Sequence, residues 1–373
     1  MKIIVNTCRL IVGMLFIFSG IVKANDPHGL SYKMQEFFDV WSRSSSLTSL
    51  MNSLSSFALP FSLIMITLEI MVGVALLLGI WKNLVSWILL ILMIFFTFLT
   101  GYAALSGKVA TCGCFGDCLP ISAMQSFIKD LVLLILVIII VTERRYIRPL
   151  FSPPLNALLV FISLLLVMFF QWFVMRHLPL VDCLPFKTGN NILELRKMPA
   201  DAIPDKKEYR FTYEKDGKTR EFSIKDLPDS SWEFVSRKDI IIEKGKNNEP
   251  AIKDFYLNTL SGVDTTEALL SLDADFYLFF VNNFNGKQEN WLNNFARIYQ
   301  SSKVKNIPLY IVSSQPEVAN QFFNTQHNYD LNIFALDATA FKTAARTDPE
   351  LYFMHGPVVK EKWGWADLKK VYK

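Results

Sequence analysis

The stretch FALPFSLIMITLEIMVGVALLLGI, residues 57–80, runs for 24 residues with one ionisable side chain, Glu69. About 20 mostly apolar residues in a helix cross the hydrocarbon core of a bilayer, so this segment reads as a membrane span. Four more stretches have the same character: Ile3 to Val22, Leu84 to Leu105, Met124 to Val141 and Leu155 to Val174. Five spans are therefore expected. The first has a second reading, a secretory signal, with a basic Met1 to Arg9, an apolar Leu10 to Val22 and a small-residue site at Val22-Lys23-Ala24. The uncleaved reading is preferred, because the later spans need a helical neighbour to pack against.

The rest of the 373 residues differ in kind. Charged residues make up 19% of the whole chain, below the roughly 25% of soluble domains, and they are unevenly placed. Residues 1–180 carry 12 basic and 7 acidic side chains, which leaves 26 and 27 beyond them. A membrane part is thus joined to a water-soluble part. A single soluble globule and a disordered chain are excluded, and the near-neutral second half offers no basic footprint for a nucleic acid.

Lys and Arg in short loops set orientation. Lys2, Arg9, Lys82, Arg144, Arg145 and Arg148 all fall on one side if the N-terminus is cytoplasmic. The expected location is the inner membrane, multi-pass, with the C-terminal domain periplasmic and bilayer lipid as the surrounding partner. The loops Asp26 to Ser56 and Ser106 to Ser122 then lie outside. Within the first, Tyr32 to Trp41 has Met34, Phe37, Phe38 and Trp41 at helical spacing, which reads as a helix on the membrane surface or capping the bundle.

Glu69 sits midway along its span, where a charge costs roughly 3 kcal/mol or more. It is expected to face the bundle interior, either hydrogen-bonded to Thr67, Thr97 or Thr100 or acting as a proton carrier or part of a ligand pocket. Lys129 and Asp130 open the fourth span near its outer end, where pairing or snorkelling suits them.

Of the five cysteines, Cys8 lies in the first span and reads as a packing residue. Cys112, Cys114, Cys118 and Cys183 all fall outside, in an oxidising compartment where an even number argues for disulfides. Three pairings are open. A Cys112–Cys114 bond closes a small strained ring of the labile, oxidising kind. Pairing Cys112 or Cys114 with Cys118 is sterically easier and leaves one loop cysteine for Cys183. These four are the candidate redox residues, with Glu69 as candidate proton carrier; the alternative is a loop stapled for structure alone. Four thiolates also suit zinc or copper, but Cys-x-Cys-x3-Cys is not a zinc-ribbon spacing and no His is near, so no metal site is assigned.

Phe18-Ser19-Gly20-Ile21-Val22-Lys23, the following Asp26-Pro27, Glu69 with Gly73 and Leu76 to Gly79, and Cys112-Gly113-Cys114-Phe115-Gly116 resemble the DoxX and MauE family of small membrane proteins over residues 1–142. The resemblance implies a four-helix membrane bundle. MauE members are associated with maturation of a disulfide-rich periplasmic dehydrogenase, DoxX members with respiratory or quinone-linked redox. It thus implies a membrane redox role, with a quinone as possible cofactor and an extracytoplasmic protein as client. The layout is similar to that of DoxX-family proteins of Bacteroidetes, with a fifth span and external domain added.

Residues 143–190 read as the fifth span and a tether, and 191–247 as a small β-rich region with a hairpin across Asp216-Gly217 and a strand at Ile240 to Ile242. From 248 to 373, strands Phe276 to Val281, Leu309 to Val312 and Ile333 to Leu336 alternate with helices Glu289 to Gln300 and Pro316 to Asn324. A hairpin across Gly356-Pro357 and a helix Ala366 to Tyr372 follow. This order, with Asp348-Pro349 ahead of the hairpin, resembles a thioredoxin fold of the peroxiredoxin or TlpA-like kind, in which Pro349 is expected to be cis. The resemblance places a Cys-x-x-Cys just after the first of these strands. The sequence there is Asn282-Asn283-Phe284-Asn285, and no cysteine occurs from Leu184 to Lys373. The external domain is therefore expected to bind a partner or cover the loop cysteines rather than exchange disulfides.

The expected fold class is an α-helical transmembrane bundle followed by a β-rich insert and an α/β thioredoxin-like domain. The leading function is a membrane thiol-disulfide oxidoreductase. The alternative is a non-catalytic assembly or chaperone protein whose cysteines are structural.

Overall fold

The computed structural model describes residues 1–372 except 45–47, 110–112, 114–115, 117, 120, 244 and 285–287. Five helices are long and apolar enough to cross a membrane: α1 (Lys2–Asn25), α4 (Ala58–Leu78), α5 (Lys82–Ser106), α6 (Ala123–Thr142) and α7 (Pro153–His177). Each contains one of the expected spans to within a few residues. Two further helices, α2 (Pro27–Ser44) and α3 (Thr48–Ser56), lie between the first two spans. The protein is multi-pass.

Local chemistry fixes the ends. Ser122 and Gln125 form a reciprocal capping box at the start of α6, and Pro153 opens α7. α1 and α4 cross closely because Gly73 has no side chain: a Cβ there would stand 3.0 Å from the Gly13 carbonyl oxygen. Val5, Val12, Phe16, Leu76, Leu89, Met93 and Val137 fill the bundle interior. α2 is the capping alternative. Its Phe37 and Trp41 pack on Ala103, Tyr102 and Val109 beside the end of α5.

Beyond α8 (Ile192–Leu195), β1 (Lys206–Lys215), β2 (Lys218–Ser223) and β3 (Glu233–Glu243) form an antiparallel sheet in the order β2-β1-β3. A second sheet is mixed, in the order β6-β5-β4-β7-β8. Its members are β4 (Asp275–Phe280), β5 (Leu309–Ser313), β6 (Ile333–Ala335), β7 (Glu350–His355) and β8 (Val358–Gly364). β4, β5 and β6 are parallel, while β7 and β8 are antiparallel. α10 (Glu289–Lys305) follows β4, and α9 (Thr266–Leu270), α11 (Pro316–Asn320) and α12 (Ala338–Ala344) are short. Alternate residues of β4 serve opposite cores: Phe276, Leu278 and Phe280 pack with Phe341 and Tyr352, whereas Tyr277 and Phe279 pack with Trp291, Phe295 and Phe323. Burial on both faces explains why this strand is a continuous apolar run.

Two expectations are corrected. The helix expected over Ala366 to Tyr372 is a single 3-10 turn, Leu368–Lys370. The Ala366 amide instead donates to the Arg176 carbonyl at 3.3 Å, and Asp367 is held by His177 at 2.8 Å. The helix expected to Asn324 stays α-helical only to Asn320 and continues as a π-helical stretch, Gln321–Gln326.

Candidate functional site

One end of the bundle gathers the C-terminal ends of α1, α5 and α7, the start of α6 and the loop between α5 and α6. Here Cys118 is bonded to Cys183, with S–S 1.97 Å and Cα–Cα 4.8 Å. The bond ties that loop to the segment after α7. It rules out the sterically easier arrangement in which Cys118 pairs within its own loop. Cys112 and Cys114 lie outside the described residues. The intervening glycines show how the loop turns: Gly113 and Gly116 have φ of +66° and +57°, a region that favours glycine. A Cβ at Gly113 would also press on Lys33, 3.1 Å from its Cγ. A small cavity of about 20 Å³ adjoins the disulfide, lined by Val22, Asp26, Lys33, Gly113, Cys118 and Cys183 among others.

The C-terminal domain is docked over this mouth. Arg346 pairs with Asp26 at 2.7 Å, with side chains only 6% and 16% exposed. Lys342 donates to Gln35 at 2.8 Å, and both cations lie over the Tyr32 ring, at 5.3 and 5.4 Å. Burial pushes the Tyr32 phenol up to about 12. Burial also lowers the His28 pKa, helped by Arg346 and opposed by Asp26. Farther round, Asn25 exchanges two hydrogen bonds with the Val181 backbone, at 2.8 and 3.1 Å, and Lys362 bridges Asp182 and Glu350 at 2.9 and 3.2 Å. Burial raises the Glu350 pKa against the pull of Lys362 and of the Arg346 and Thr347 amides.

The Asp348–Pro349 peptide bond is cis. Asp348 Oδ1 accepts from the Asn282 amide at 3.0 Å, and Asn282 Oδ1 accepts from Ser313 Oγ and the Ser314 amide, both at 2.8 Å. The strand end at which the resemblance implies a Cys-x-x-Cys is therefore a web of amide and carboxylate hydrogen bonds.

Below the mouth the bundle holds a second polar group. Glu69 pairs with Lys23 at 2.7 Å, both side chains at most 6% exposed, and the ammonium lies 4.9 Å from the centre of the Phe96 ring. The three threonines named as partners for Glu69 are engaged elsewhere. Thr67 donates to the Leu63 carbonyl, Thr97 to that of Met93, and Thr100 reaches Asp130 at 3.1 Å. Asp130 pairs with Lys129 at 2.9 Å. Ser19, Lys23, Glu69, Phe96, Lys129 and Asp130 share a cavity of about 30 Å³, room enough for a water molecule. The bundle thus contains two ion pairs facing one small chamber. Lys23 was missed because it was read as the boundary of its span. Phe16, Ser19 and Lys23 fall at helical spacing on the buried face of α1, which is the signal that marks it. Among the described residues, no group of three or more His, Cys, Asp or Glu is placed to hold a metal ion.

Residues 1–143 match the family described as methylamine utilisation protein MauE, and residues 207–244 match a domain of unknown function, DUF8463. The first match contains Lys23, Glu69 and the three loop cysteines but ends before α7 and Cys183. No curated protein and no solved structure matches the chain.

Proposed function

With residues 1–143 a MauE-family membrane domain, we propose that the chain is a membrane thiol-disulfide oxidoreductase acting on extracytoplasmic proteins. The observation that carries this reading is the Cys118–Cys183 bond, which leaves Cys112 and Cys114 as a second cysteine pair in the same loop. Their disulfide exchanges with a client dithiol: a client thiolate attacks one sulfur, the mixed disulfide resolves, and the client leaves oxidised while Cys112 and Cys114 hold two thiols. Regeneration removes two electrons and two protons. A quinone of the membrane accepts both and becomes a quinol, and the chamber of Lys23, Glu69, Lys129 and Asp130 handles the protons. The basic cluster at the opposite end of the bundle supports a cytoplasmic N-terminus and a periplasmic external domain.

The external domain, read as thioredoxin-like, positions clients without exchanging electrons. The Asn282 hydrogen-bond web favours that division, and it also favours the second reading, a non-catalytic assembly protein with stapling cysteines. Alkylation of thiols in native membranes, before and after mild reduction, separates the two. The expected result is a mixed, easily reduced population at Cys112 and Cys114, with Cys118 and Cys183 protected. Cys112 and Cys114 fully oxidised and resistant to mild reductant overturn the redox reading.

A further inference from the structure

The end of the bundle opposite the disulfide is built from two loops pinned to each other and to α1. Gly79, which follows α4, has φ +69°, and a Cβ there would stand 2.2 Å from the Arg148 carbonyl oxygen, so glycine is what lets the α6–α7 loop come this close. The Leu150 amide donates to the Leu78 carbonyl at 2.9 Å. Arg9 of α1 spans the junction, donating to the Leu77 carbonyl at 2.7 Å and to that of Arg148 at 3.3 Å. Arg144 also joins the loops: its Nε donates to Asn83 Oδ1 and its Nη1 to the Val141 carbonyl, both at 3.1 Å.

The charges on this frame do not balance. Segments 1–10, 76–86 and 141–155 contain six Lys and Arg but a single acid, Glu143. Glu143 pairs with Arg145 at 3.1 Å. Arg9 and Arg144 are held by carbonyl and amide oxygens, whereas Lys2, Lys82 and Arg148 are exposed and have no acidic partner among the described residues. Two N–H donors of Arg144 are used by Asn83 and Val141, out of the five that a guanidinium carries.

Aromatic residues set the depth of these cations. The Arg144 guanidinium lies 6.0 Å from the centre of the Trp87 ring, and Trp87 is five residues past the start of α5, about 7 Å along its axis. Trp81 and Trp87 are 62% and 51% exposed, and indole rings on spanning helices settle at head-group level. The cations therefore occupy the layer in which lipid phosphates lie. A zwitterionic head group brings a positive charge along with its phosphate. A soluble anion has no apolar part to meet the exposed Trp81, Leu84 and Trp87.

We propose that this end of the bundle binds an anionic phospholipid, whose phosphate is held at the junction of the α4–α5 and α6–α7 loops by Lys82, Arg148 and the remaining donors of Arg144. The bound head group supplies the negative charge that the junction lacks. The site uses neither the cysteines nor the buried ion pairs, so it stands or falls apart from the thiol chemistry.

The test is tryptophan quenching in the full chain, reconstituted into phosphatidylcholine bilayers with a small fraction of brominated phosphatidylglycerol or, in parallel, brominated phosphatidylcholine. Subtracting the signal of Trp81→Phe/Trp87→Phe isolates this end. Each cation at an anionic head group is worth about a fivefold preference at low salt, so phosphatidylglycerol should be enriched here by roughly fivefold or more. Lys82→Gln/Arg148→Gln should return the ratio close to one. Lys108→Gln, the same change in one charge just beyond the other end of α5, should leave it as in wild type. Should the double variant not fold, the wild-type ratio still decides. Equal quenching by the two brominated lipids overturns the proposal, as does an enrichment that survives the double variant or falls equally in Lys108→Gln. Inorganic phosphate, compared with chloride at the same ionic strength, separates the sources of the anion: enrichment unaffected by phosphate is expected, and its abolition assigns the site to a free anion and overturns the lipid.

Discussion

Replacing Lys23 by Met tests the buried pair from its more demanding side. Glu69 lies eleven residues beyond the start of α4, deep in the bundle, whereas Lys23 is two residues from the end of α1. A stranded lysine therefore has a route to the mouth by extending its stem, and a stranded Glu69 has none. Removing one partner of a buried ion pair costs about 3–5 kcal/mol, and loss of the Phe96 contact adds about 1 kcal/mol. Lys23→Met should fall at the top of that range and Glu69→Leu near its bottom. The double variant Lys23→Met/Glu69→Leu fills the same space with apolar atoms and should lie within about 2 kcal/mol of wild type. The assay is reversible unfolding in mixed micelles across the four proteins of the cycle. Single losses that simply add in the double variant would mean the two side chains are energetically independent, and the ion-pair reasoning would be wrong.

Further outcomes follow from the mouth. Cys118→Ser or Cys183→Ser opens a 65-residue separation, for which chain entropy sets an upper bound of about 4 kcal/mol; both should lower the amount of folded protein, while Cys112→Ser and Cys114→Ser should abolish exchange with little change in abundance on immunoblots. Arg346→Ala leaves Asp26 without its partner and should weaken docking of the external domain by about 3 kcal/mol, read as faster amide exchange in α2 and α12; unchanged exchange would refute the clamp. The lowered His28 pKa means that the undocked chain takes up the proton first. Docking should therefore hold above about pH 6.5 and weaken as pH falls below it. The neighbouring Asp348 and Glu350, whose pKa values are raised, act in the opposite sense toward the acid limit of that window. Cross-linking between Lys33 and Lys342 at neutral and mildly acidic pH checks the sign.

Much of the architecture was legible because burial and period leave direct marks. Five apolar runs gave five helices, and the alternating Tyr209, Phe211 and Tyr213 gave a strand that pairs across Asp216-Gly217. Glu69 stood out as a lone acid in an apolar run. Its partner did not, since Lys23 is 46 positions away and sits where a basic residue ordinarily marks the edge of a span. Contacts such as Asp26 with Arg346, 320 positions apart, leave no periodic trace at all. The cysteine pairing was undetermined for the same reason: spacing along the chain ranks ring strain but does not say which sulfurs the fold brings together.

The Cys118–Cys183 bond also changes how the C-terminal domain meets the bundle. Phe186 already belongs to the core of that domain, only three residues after the cysteine that fastens the chain to the loop. The domain is thus held on almost no leash, and its effective concentration at the mouth is far above that of any free protein. Contacts too weak to hold a separate molecule suffice to keep it seated. On the proposed redox reading, a client reaching this end of the bundle competes with that standing occupant, so its access is governed by how readily one seated domain rocks aside rather than by how abundant the client is.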